Sequence, residues 1–161
     1  MNYQDVEEAI ASYLGTKLGA NVDVYSLPDT VEEYSKTVTR PRVTVAYFNS
    51  DFAKPAGIFG YQNEKAMFRL IVQSKTRKST TGVFAVAANV LKFSVGQKFT
   101  PFGEMYLHNI LLEEYNQKAK EWTYVITVAA ETIFVKDIPE SGDVDITQIT
   151  MQSSYNSSDI P

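Results

Sequence analysis

The sequence predicts an α+β fold: a two-layer domain with two helices packed on one face of a mixed or antiparallel β-sheet, in the order α-β-β-β-α-β-β, followed by an extended C-terminal arm. Three observations lead there. Two segments carry apolar residues at helical spacing, so each has one stripe to bury. Five segments alternate in polarity or are rich in β-branched and aromatic residues, as strands are. After Val135 the aromatic residues nearly cease: of nine Phe, ten Tyr and one Trp, only Tyr155 lies beyond it. Residues 1–135 therefore read as a single folded domain and residues 136–161 as an acidic, Ser-rich arm.

The first helix places Val6, Ala9, Ile10, Tyr13, Leu14 and Leu18 on one stripe. Asn2 can cap it, Asp5, Glu7 and Glu8 sit where the helix dipole favours anions, and Gly19 is a natural stop. A short strand follows at Val22–Tyr25, ended by Leu27-Pro28-Asp29, and Thr30–Thr39 is polar with room for a helical turn. The next strand, Arg42–Phe48, sets Val43, Val45 and Tyr47 on one face. Asp51–Asn63 contains Pro55, Gly57 and Gly60 and reads as a long loop. Lys65–Gln73 is a strand with Ala66, Phe68, Leu70 and Val72 on one side and Arg69 and Gln73 on the other. The second helix is expected from about Thr81 to Ser94, burying Val83, Phe84, Ala87, Val90 and Leu91. Glu104–Tyr115 and Glu121–Val135 complete the sheet as a hairpin around Asn116–Lys120.

Charge and composition narrow the function classes. The net charge of −4 resides wholly in the arm, where Lys136 faces Asp137, Glu140, Asp143, Asp145 and Asp159. A body of zero net charge offers no gross attraction to nucleic acid or anionic lipid, so no specific nucleic-acid binding and no membrane partner is expected. The absence of cysteine excludes disulfides, thiolate catalysis and Cys-ligated zinc or iron–sulfur sites. Acids stand at the N-terminus where a signal peptide has a basic segment, and no apolar run approaches a membrane span, so a soluble, intracellular protein is expected.

A search for chemistry yields no catalytic, cofactor-binding or metal site. His108, the one histidine, lies inside EMYLHNILLEE among apolar residues and reads as a structural or interface residue. Glu7-Glu8, Glu32-Glu33 and Glu113-Glu114 are adjacent pairs, which diverge on a helix or strand. Asp143 and Asp145 share a strand face but lack the further oxygen ligands of a calcium loop. Three features instead suit protein docking. Phe52, Ile58, Phe59 and Tyr61 are large apolar residues in a Gly/Pro loop. Lys75, Arg77 and Lys78 form a basic stretch, read as a solvated loop, then as a dock for an acidic segment, and third as a phosphate site, since three cations alone supply little affinity. Val144, Ile146, Ile149 and Met151 lie in the polar arm as two pairs out of phase by one residue, so a straight strand cannot bury all four.

The pattern as a whole resembles the Mu-like tail protein family of phage tail terminators. It rests on the helix EEAIASYL, the LPD turn, the strand V-x-V-x-Y-F-N-S-x-F, the strand RLIVQSKTRK running into a helix, and the late W-x-Y-V-I-T-V hairpin, across residues 3–135; the arm lies outside the part that can be matched. The resemblance implies a structural, non-enzymatic virion protein of the tail or neck, assembled in the host cytoplasm. It implies a homo-hexameric ring on the head-proximal end of the tail tube that ends polymerisation. The implied partners are the tail tube protein, the head–tail connector protein and, in contractile tails, the sheath protein. Two other classes stay open on the residues alone: another neck or head-completion connector, and a small enzyme whose site no motif reveals. In the tail-terminator reading, about Asp143 to Gln152 is expected to act as a strand-adding arm, within the ring or to a sheath subunit, the alternative being a disordered solubilising tail.

Overall fold

The computed structural model describes residues 2–28, 30, 38–54 and 61–135, apart from the side chains of residues 112–114, 134 and 135. The chain runs α1 (Tyr3–Leu18), β1 (Asp23–Ser26), β2 (Arg42–Phe52), β3 (Tyr61–Ser74), α2 (Val83–Ser94), β4 (Tyr106–Asn116) and β5 (Glu121–Val135). This is the expected α+β order. The five strands make one mixed sheet in the order β1-β2-β3-β5-β4. β1 lies parallel to β2, and every other pairing is antiparallel.

Both helices cover the same sheet face. α1 begins at Asn2, whose Oδ1 accepts from Gln4 N at 3.1 Å, and stops at Gly19, where φ is 73°. That left-handed φ is cheap for glycine and costly for residues with a Cβ. The buried stripe is centred on Val6, Ile10 and Leu14. Ala11 rather than Ala9 lies on its flank, because α1 packs over β1 and β2 and that flank faces them. α2 buries Val83, Val86, Ala87 and Val90, with Phe84 and Leu91 packed at the margin.

Beneath the helices the strands contribute Val43 and Val45, then Ala66, Phe68, Leu70 and Val72, then Ile126, Val128 and Ala130. Phe68, fully buried, meets Tyr47 and Phe102 edge-on, each at 5.8 Å between ring centres. Burying such a set removes several hundred Å² of apolar surface from water, at roughly 25 cal/mol per Å². One expectation is corrected. The loop expected over Asp51–Asn63 is shorter, because β2 runs to Phe52 and β3 starts at Tyr61, with Asp51 opposite Lys65 and Phe52 opposite Glu64. β5 supplies the reason: Thr132–Val135 pair with Tyr61–Glu64 and extend the ladder past the region of clear alternation. The turn expected within Thr30–Thr39 falls largely outside the described residues.

Candidate interaction surfaces

The basic stretch lies in the connection from β3 to α2, which is tightly folded. α2 has Gly82 at its N-cap and no side-chain cap. Instead Val83 N donates to Thr76 O at 3.0 Å, and Phe84 N donates to Arg77 O at 3.4 Å, so loop carbonyls satisfy the first-turn donors. A Cβ on Gly82 would lie 2.7 Å from the carbonyl carbon and oxygen of Arg77, which restricts the position to glycine. Lys75 and Lys78 are exposed. Arg77 turns inward, its guanidinium 4.9 Å from the Phe84 ring centre and 5.0 Å from that of Trp122. The structure thus divides the stretch into two lysines exposed among the described residues and one arginine committed to packing.

Phe52 and Tyr61 are both exposed, near the end of the sheet where β2 and β3 approach their connection. Beside them, on the helix-covered face, Glu64 is fully buried. Its Oε1 accepts from Tyr3 Oη at 2.7 Å and from Ser50 Oγ, and Tyr47 Oη donates to Ser50 Oγ at 2.9 Å. No Lys or Arg is paired with Glu64 among the described residues, and Oε2 has no hydrogen-bond partner there. Burial, followed by the hydrogen bond to Glu64, pushes the Tyr3 phenol up to about 12. This network ties the start of α1 to the end of the β2–β3 hairpin. Sequence reading missed it, although extending the β3 alternation back one step from Ala66 puts Glu64 on the core face.

The face of the sheet opposite the helices carries no helix among the described residues. Thr44, Ala46, Met67, Thr127 and Ala129 lie low on it and are buried. Phe48 is the extra residue of a bulge between Tyr47 and Asn49, and Arg69 stacks its guanidinium 3.6 Å from the Phe48 ring centre. β4 forms one edge of the sheet. Tyr106, Leu107, Leu111 and Tyr115 are exposed along it, Leu111 by 50%. His108 is exposed at a second bulge, between Leu107 opposite Val128 and Asn109 opposite Thr127.

A family model described as Gp37 protein matches residues 10–153. The chain belongs to the Gp37 protein family. That match reaches well beyond residue 135, into the segment that the tail-terminator resemblance could not cover. No curated protein matches the chain. Among solved structures, a chain from the virion of a native gene transfer agent particle is similar over 82% of this chain and 91% of its own, at 17% identity and a TM-score of 0.48. A likeness of that order carries no argument about role.

Of the residues expected at interfaces, the structure places Phe52 and Tyr61 together at one end of the sheet, with Lys75, Arg77 and Lys78 on a separate loop. Ile58, Phe59, Val144, Ile146, Ile149 and Met151 lie outside the described residues. Among the described residues no three His, Asp or Glu side chains group as a metal would require, and no helix is long and apolar enough to cross a membrane. A cleft of about 720 Å³ opens between α1, β1 and β2, lined in part by Glu8, Asp23, Arg40 and Arg42. Its cations are engaged: Arg40 donates to Ala20 O at 3.0 Å and Arg42 to Gln73 Oε1 at 2.6 Å.

Proposed function

We propose that this chain is a structural protein of a phage-like virion and acts as its tail terminator. In this reading a ring of copies, six by the resemblance, sits on the head-proximal end of the tail tube. It ends polymerisation by matching the tube on one side and presenting a non-matching surface to the head–tail connector on the other. In contractile tails the same ring holds the last sheath subunits. The observation that carries the reading is membership of the Gp37 family over residues 10–153, taken with the tail-terminator resemblance of the α-β-β-β-α-β-β chain. The surface agrees with it. A ring closed by head-to-tail contacts needs two different patches on each subunit, and the β4 edge and the Phe52–Tyr61 end of the sheet are two such patches.

Particles assembled without this chain test the role. Tails of uncontrolled length that fail to join heads, corrected by adding the purified protein, are expected in electron micrographs. Tails of normal length joined to heads would overturn the proposal. Normal free tails with incomplete heads would also overturn it, in favour of a head-completion connector.

A further inference from the structure

The two edges of the sheet are treated differently. Soluble proteins blunt an edge by shortening it, charging it or covering it, because unpaired backbone donors and acceptors recruit other strands. β1 is four residues long. β4 is eleven residues long, and Tyr106–Leu111 contains no Lys, Arg, Asp or Glu while exposing Tyr106, Leu107 and Leu111. We propose that the β4 edge of one copy receives residues Asp143–Gln152 of a neighbouring copy as an added strand, joining subunits head to tail.

Three observations select that occupant. The family match ends at residue 153, so it includes the whole of DVDITQITMQ and leaves out most of the Ser-rich terminus. The phase of the segment also fits. Val144 and Ile146 are one residue out of step with Ile149 and Met151. β4 is itself bulged, at His108 and again between Glu113 and Asn116. A strand that follows β4 residue for residue shares such a slip, which turns both apolar pairs to one face, with one of the four residues falling just beyond the end of β4. The third observation is where the chain leaves the domain. β5 continues six residues past Ala129, the partner of Tyr106, and ends at Val135. Along that overhang Gly103 N donates to Glu131 O at 2.8 Å and Thr132 Oγ1 donates to Pro101 O at 2.9 Å. The 101–103 segment therefore stands between the exit of the arm and its own β4 edge. Residues 136–142 span at most about 25 Å when extended, enough to reach a neighbour packed against that end of the sheet.

The proposal goes beyond the tail-terminator reading and is tested without a tail. The full chain, a chain ending at Lys136, and full-length Leu111→Lys are compared by native mass spectrometry and by hydrogen exchange of the β4 amides. The core cluster lies within residues 6–130, so the shortened chain keeps it. Leu111 is half exposed, so its substitution leaves the fold intact. The full chain is expected to form a closed oligomer with protected β4 amides. The shortened chain is expected to be a folded monomer whose β4 amides exchange at least tenfold faster. Leu111→Lys should weaken assembly at least tenfold. An unchanged oligomer after shortening overturns the proposal, as does a monomeric full chain. A monomer with protected β4 amides would show that each copy covers its own edge.

Discussion

The β1 and β4 edges of this sheet differ in how the fold secures them: one is short and packed by a helix, the other long and lined with exposed apolar side chains. β1 is short and fastened: Leu27 N, just past its end, donates to Val45 O at 2.7 Å, and α1 packs against the strand. Away from both edges, the N–H of buried Val38 donates to the carboxylate of Glu121, at the start of β5, at 2.8 Å. β4 has β5 on one side and large exposed apolar residues along its length. The first edge is covered by α1, and the second exposes large apolar side chains among the described residues.

A matched pair of substitutions breaks or confirms that contrast. Leu14→Ala, in the fully buried stripe of α1 beside β1, is expected to cost about 2–5 kcal/mol in denaturant unfolding, the range for large-to-small core changes. An equal loss from Leu111→Ala on the β4 edge would erase the difference between the edges.

Glu121→Ala comes next. It leaves the Val38 N–H without its acceptor in a buried setting and should cost about 1–3 kcal/mol. Hydrogen exchange at Val38 would rise ahead of exchange in β3.

Tyr3 offers a pH-dependent sharpening, since it ties α1 to the end of β3 rather than to either edge. Its phenol lies at about 12 in the folded chain against an ordinary value of 10.0, so the folded state holds the proton more tightly. The resulting stability is complete below pH 10 and is lost as pH rises from about 10 to about 12. Tyr3→Phe should flatten that part of the stability profile while lowering stability at neutral pH, because Glu64 loses a donor. Alkaline titrations followed by circular dichroism would read both effects.

The smallest effect is expected for Leu111→Ala in dilute, unassembled protein, within about 0.5 kcal/mol, as for exposed positions away from caps and networks. Thermal unfolding of the chain ending at Lys136 checks it.

Much of the fold was legible because periodicity is local. Alternation in Val43, Val45 and Tyr47, and in Ala66, Phe68, Leu70 and Val72, identified core faces without any knowledge of partners. The helical stripes did the same, with Ala9 misplaced because only the packing angle of α1 decides which flank is buried. The candidate surfaces were less legible. Arg77 reads like Lys75 and Lys78 in the sequence, yet the rings of Phe84, in the next helix, and Trp122, distant in the chain, hold it inward. Glu64 falls between the expected loop, which ends at Asn63, and the expected strand, which starts at Lys65, and pairing with β5 extends β3 far enough to bury it.

The sequence by itself determined the element order, the apolar faces and the division between a body of zero net charge and an acidic C-terminal stretch, because each is read from the residues along the chain. Only the tertiary structure decided the strand order β1-β2-β3-β5-β4, the parallel docking of β1, the burial of Glu64 and which strands form the sheet edges. Those outcomes depend on which distant strand completes each hydrogen-bonding ladder. That is a competition among long-range pairings, and no local periodicity records its result.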